Sequence, residues 1–332
     1  MAGHGVAAGL RMGREVKEWR TGAIEDWNDE VLEYGTMNNL KNEAAHTAGT
    51  IGKCILSFGI ILMLGCVTLS QAAEMRLFDI AKQKELKLSG ALQDLQGKKI
   101  ILVGEQHDQR GHHVAQLEII KALHRSGTPI AIGLEMFRAN SQDALDQWVS
   151  GQRPEKEFQK VFYDNWGFTW SLYSMIFVFA REVKIPIVGL NVPRAVTQQV
   201  ARGGFRSLSE EQRANLPFVE CRVDPEYMDF IQRAYGAHGH GQMNFTNFCE
   251  AQLVWDKAMA VHALGYVKKN PDRTMVLLAG NGHVWKKGIP ERIKESSSLT
   301  YAVLLPEIPE SLERDTVTLE DADYLMLGIS DK

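Results

Sequence analysis

The sequence predicts an α/β fold: a single domain with a mostly parallel central sheet, helices on both faces, and a ligand crevice at the carboxyl ends of the strands. Two observations carry this expectation. Five short stretches, KIILVG (99–104), PIAIGLEMF (129–137), IPIVGLN (185–191), TMVLLAGN (274–281) and TYAVLLP (300–306), are β-rich and continuously apolar, as strands covered on both faces must be. Between them lie helical patterns, and alternation of strand and helix favours parallel pairing through crossovers.

The elements follow in order. After the first strand, Val114, Leu117, Ile120 and Leu123 recur at helical spacing until Gly127 and Pro129 stop the helix. Residues 170–184 are apolar nearly all round, which predicts a buried helix. The longest pattern, 244–272, ends in lysines and an Asn-Pro stop, as the helix dipole and proline geometry favour. No repeat or linker interrupts residues 74–332, so one domain is expected there.

Residues 1–73 read as an address. The uncharged stretch 54–70 follows Lys53 and runs into Ser70 and Ala72, the small-x-small pattern of a signal-peptidase site. A membrane span needs about 20 apolar residues, so this segment reads as a cleaved export signal or an uncleaved anchor. Cys66 ends a loose match to a lipid-attachment site. Export predicts a periplasmic or membrane-anchored protein facing away from the cytoplasm. Cys221 and Cys249 remain beyond the leader, and an oxidising compartment would let them pair. A formal net charge of -4, without a long basic run, excludes a nucleic-acid partner.

Polar chemistry gathers where the strands end. Glu105 and His107 follow the first, Glu135 closes the second, Asn191 and Arg194 follow the third, and Asn281 and His283 follow the fourth. In open parallel sheets those ends share one crevice. GEQH (104–107) and GNGH (280–283) repeat a Gly-x-x-His spacing in which glycine turns the chain off the strand and histidine returns over the edge. Glu105, His107, Glu135 and His283 are therefore the candidate catalytic groups. Two readings stay open: His107, Glu135 and His283 hold a divalent metal, or the same side chains exchange a proton as acid and base. Arg194, after Pro193 at a helix start, suits an anionic group or pairs with a glutamate of the site. His112 and His113 lie one turn further on, where one can reach the cavity and the other face solvent. On the long helix, Gln252 and Asp256 share a face and can support the site from behind. In the stretch 226–245, Tyr227, Tyr235, His238 and His240 are candidate axial ligands for haem iron, although the Gly-His-Gly-His-Gly spacing suits a plain loop equally.

Five ordered segments, ILVGEQHDQRGHHVAQLEII, GLEMF, IPIVGLNVPR, EAQLVWDKAMA and LLAGNGHVWKKGIPERI, resemble the ChaN-like haem-binding uptake family, grouped with Tiki, TraB and erythromycin-esterase-like proteins. The resemblance implies an exported, often lipid-anchored protein that binds haem as a small-molecule ligand for iron acquisition. It also implies an iron-linked tyrosine at a subunit interface, hence a homodimer, with Tyr163, Tyr173, Tyr227 and Tyr235 all open for that role. In the wider group, paired Gly-x-x-His motifs and a glutamate form an active site, so a hydrolase is the alternative expectation.

Overall fold

The computed structural model describes residues 74–329, apart from Asn215, Asp224, Glu226, Phe230 and residues 233–243. The apolar leader 54–70 and the candidates Tyr235, His238 and His240 lie outside the described residues. Among those described, no helix is long and apolar enough to cross a membrane.

The chain enters through two short strands, β1 (Arg76–Asp79) and β2 (Lys84–Lys87), and a helix α1 (Leu88–Gln96). There follow β3 (Ile100–Glu105), α2 (Arg110–Arg125), β4 (Ile130–Arg138), α3 (Gln142–Ser150), α4 (Glu155–Asn165), α5 (Trp170–Glu182) and β5 (Ile187–Asn191). Then come α6 (Arg194–Gly203), α7 (Glu210–Ala214), α8 (Phe245–Lys269), β6 (Thr274–Gly280), α9 (Asn281–Val284), α10 (Ile289–Ser296), β7 (Tyr301–Pro306) and β8 (Tyr324–Leu327). All strands join one sheet in the order β2-β1-β8-β7-β3-β6-β4-β5. From β8 to β5 every pairing is parallel, whereas β1 and β2 add an antiparallel margin.

The five expected strands form within one or two residues of their predicted limits; β1, β2 and β8 are additions. Side chains alternate across a strand, so β3 sends Ile101 and Val103 into one core and Ile100 and Leu102 into the other. The first core packs beneath α1 to α5 around Trp148, Phe158, Phe162 and Phe177, and the second lies under α8 and α10. A third cluster joins α6 and α8 to the segment 219–231. Asn244 caps α8 by accepting from the backbone N–H groups of Thr246 and Asn247 at 2.8 and 3.3 Å.

Two details position the site. β3 and β6 run in register with Glu105 opposite Gly280, so the two Gly-x-x-His segments leave neighbouring strands at the same height. The β4–β5 register slips between Leu134 and Arg138, a bulge that re-aims the intervening Glu135. At the far border, the Gln142 amide donates to Ile187 O at 2.8 Å and accepts from Gly189 N at 3.1 Å, occupying hydrogen-bonding groups that β5 turns outward.

Candidate active site at the strand ends

Glu105 is completely buried at the end of β3, and four donors surround its carboxylate. Oε1 accepts from His107 Nδ1 and from the Tyr173 hydroxyl, both at 2.7 Å. Oε2 accepts from Gln116 Nε2 at 2.6 Å and lies 3.4 Å from His113 Nδ1. A buried charge persists only when paired and hydrogen-bonded, and this one is both. Burial alone would push its carboxyl up, but the charge of His113 and bonds from His107 and His113 hold it well below the usual range. Glu105 is thus an anion whose acceptor sites are taken, and it positions its neighbours.

His113 shows how. Its Nε2 faces the carbonyl of His107 at 3.0 Å, while Nδ1 faces Gln116 Oε1 at 3.3 Å and Glu105. Both ring nitrogens face acceptors, an arrangement that favours the doubly protonated ring. Burial opposes that charge, yet Glu105 and the bonds to His107 O and Gln116 raise the His113 pKa. The same carboxylate, with burial as the larger cause, raises the Tyr173 phenol well above its ordinary value. Glu105 accepts at His107 Nδ1, and the His107 ring meets Trp166 edge to face at 4.9 Å and Phe168 at 5.3 Å between ring centres.

A second assembly mirrors the first from the other face of the sheet. His283 Nδ1 donates to Asp256 Oδ1 at 2.6 Å, and Asp256 Oδ2 accepts from the Tyr227 hydroxyl at 2.8 Å. Nε2 lies 3.5 Å from Glu135 Oε1, while Glu135 Oε2 accepts from Gly280 N at 2.7 Å. Burial works against protonation of His283, but Glu135 and Asp256 outweigh it and raise the pKa. Asn191 Nδ2 donates to Glu135 O at 2.9 Å, tying β5 to the same edge. The molecule therefore holds two Tyr–carboxylate–His chains, Tyr173–Glu105–His107 and Tyr227–Asp256–His283, with Glu135 beside the second.

Glu105, His107, Glu135 and His283 are all brought to adjacent strand ends, as the motif spacing predicted. Arg194 begins α6 after Pro193, half-buried, and the donors around Glu105 come instead from His107, His113, Tyr173 and Gln116. His112 and His113 are both buried, so neither faces solvent; His112 Nδ1 accepts from Gln106 N at 2.9 Å. The metal reading of His107, Glu135 and His283 is not carried: among the described residues no three His, Cys, Asp or Glu side chains converge as a metal site. Glu135 Oε1 instead faces His283 Nε2 at 3.5 Å, while its Oε2 accepts from Gly280 N at 2.7 Å. The sequence did not single out Gln116 or assign Tyr173 to Glu105; their position on the sheet-facing side of α2 and α5 was the available signal.

A family model described as haem-binding uptake, Tiki superfamily, ChaN matches residues 91–293, well over half of the chain. The chain belongs to this family. The fold is similar to a ChaN of Campylobacter jejuni, solved in a study of cofacial heme binding, at a TM-score of 0.62 and 21% identity over 76% of this chain and 96% of that one. An erythromycin esterase mutant in its open conformation is more distant, with a TM-score of 0.44 and 16% identity over 70% and 76% of the two chains. Among curated proteins, RETICULATA-RELATED 5, chloroplastic, of Arabidopsis thaliana is 27% identical over 35% of this chain, and the match spans only 16% of that protein's length.

Whether this ChaN member's residues suit a haem depends on donors and space. The strand-end side chains are buried, with Glu105, His107 and His283 at 0, 4 and 8% exposure. Cavities of about 260 and 390 Å³ lie elsewhere, the first at the opposite ends of β4 and β6 and the second along α6. Tyr173 and Tyr227 are buried donors to Glu105 and Asp256. Tyr163 differs: it is 44% exposed, and its oxygen accepts from Trp170 N at 3.2 Å beside the edge-on ring of Phe162.

Proposed function

We propose that the protein is an exported haem-binding protein of iron acquisition, and that haem docks on the outer surface at Tyr163 rather than inside the crevice. The exposed Tyr163 phenol carries this reading, because the other two described tyrosines of the candidate set are consumed by carboxylates. When bound, haem supplies a ferric centre that a phenolate oxygen can hold. The chain contributes the phenol, the Phe162 ring beside it and, with a second copy facing it, shelter from water. Export to the periplasm, through a signal peptide, lipid or anchor, is supported by Lys53, the apolar stretch 54–70 and the Ser70–Ala72 pattern. The Cys221–Cys249 bridge suits an oxidising compartment.

Haemin titration followed by absorbance tests the assignment. Wild type should develop a shifted Soret band with a phenolate-to-iron transition, and Tyr163→Phe should lose that transition. Parallel variants Tyr235→Phe, His238→Ala and His240→Ala separate the competing donors. A Tyr163→Phe spectrum identical to wild type sinks the assignment, and no haem-dependent band at all sinks the function.

A second reading is favoured by the paired Tyr–carboxylate–His chains. His107 is oriented by Glu105, and His283 is oriented by Asp256 and faces Glu135, which together offer a base and an acid at one edge. That arrangement suits hydrolysis of an ester or amide. Turnover of ester and peptide libraries by wild type, lost in His107→Ala and in His283→Ala, supports it; an inert wild type removes it.

A further inference from the structure

We propose that the Cys221–Cys249 bridge is a thiol-exchangeable clamp on the His283 half of the crevice: opening it releases the Tyr227–Asp256–His283 chain and leaves Tyr173–Glu105–His107 in place. The inference does not depend on haem binding. The bridge spans 28 residues and joins the segment before Tyr227 to the first turns of α8, the helix that carries Asp256. Tyr227 is 2% exposed and lies inside the bridged stretch, parallel to the Trp285 ring at 6.4 Å, with Ile231 and Phe248 buried alongside. Its hydroxyl is the outer end of the hydrogen-bonded chain to His283. The other chain is built from β3, α2 and α5, none of which is bridged.

Chemistry favours attack at one sulfur. Cys249 is completely buried, whereas Cys221 is partly accessible. A thiolate of a dithiol reductant attacks Cys221 Sγ, and the S–S electron pair leaves on Cys249, which takes up a proton. The reductant's second thiol then closes on its own mixed disulfide and releases Cys221. Two electrons and two protons pass to the protein, and the reductant leaves as its disulfide.

Proton NMR of the full chain tests the proposal with an internal control. The short His107–Glu105 and His283–Asp256 bonds should each give a far-downfield imidazole N–H signal, assigned by its disappearance in His107→Gln or His283→Gln. Dithiothreitol, with bridge opening verified by thiol counting, should remove or move the His283 signal, preserve the His107 signal, and reverse on reoxidation. Tyr227→Phe should shift the same signal without reductant, and Cys221→Ser should show the open pattern permanently. If Cys221→Ser does not fold, the wild-type titration decides alone. Three results overturn the proposal: both signals unchanged with the thiols counted open, both lost together through global unfolding, or a bridge that resists a large excess of dithiol.

Discussion

Replacing Tyr173 with phenylalanine removes one oxygen from a site with no exposure to water. The lost bonds are a 2.7 Å donation to a fully buried carboxylate and a longer one, 3.3 Å, to the carbonyl of His107, while the ring that packs α5 is kept. A hydrogen bond to a charged group contributes about 1.5–3 kcal/mol. Three donors stay around Glu105, so the lower half of that range is expected. For a domain of this size each kcal/mol moves the melting temperature by roughly 2–4 °C, which gives a fall of roughly 3–9 °C at neutral pH. Tyr163→Phe is the control, because that hydroxyl is exposed and serves only as an acceptor for Trp170 N; surface changes cost within about 0.5 kcal/mol. Combining Tyr173→Phe with Glu105→Gln should be less damaging than the sum, since the hydroxyl then loses a neutral partner instead of an anion. The assay is thermal and urea unfolding of the four proteins. Equal stability of Tyr173→Phe and Tyr163→Phe would refute the account of Glu105 as a charge sustained by its donors.

Further outcomes follow from the same geometry. Because Glu105 titrates below its unfolded value, its stabilisation is present above the ordinary carboxylate pKa and disappears as pH falls toward the folded one; urea midpoints measured down the acid limb check this, with Glu105→Gln flattening the curve. His113 has the opposite sign, its raised pKa giving stability that is complete below the unfolded histidine value and lost as pH rises through the folded one, so His113→Gln should flatten the alkaline side. Gly104→Ala would place a methyl against Asn281 Oδ1 and 2.7 Å from Leu305 Cδ2, and such overpacking costs about 1–3 kcal/mol in denaturant unfolding. Asp256→Asn should disturb His283 while sparing His107, read from the two imidazole N–H signals.

The parallel strands were legible because burial on both faces leaves no polar alternation to confuse, as in IILVGE. β2, with the sequence KELK, was not legible: it is an exposed margin with neither an apolar run nor a buried face. β8 is four residues long and looks like the tail of a loop until β1 pairs with it. In the site, repetition of Gly-x-x-His revealed the two histidines, and helical spacing pointed to Asp256 behind them. His113 and Tyr173 were obscured for one shared reason. A polar residue on a helix reads as solvent-facing or as a ligand until the buried carboxylate that it serves is placed in space. The aromatic Tyr163 and Tyr227 were equivalent as letters, and only exposure separates them, 44% against 2%.

The two borders of the sheet have one further effect. Lys84 and Lys87 guard β2, while Gln142 stands where a ninth strand would bind β5. A second molecule that tried to extend the sheet would have to strip charge from one side or evict an amide from the other. Growth into ribbons is thereby discouraged at both ends.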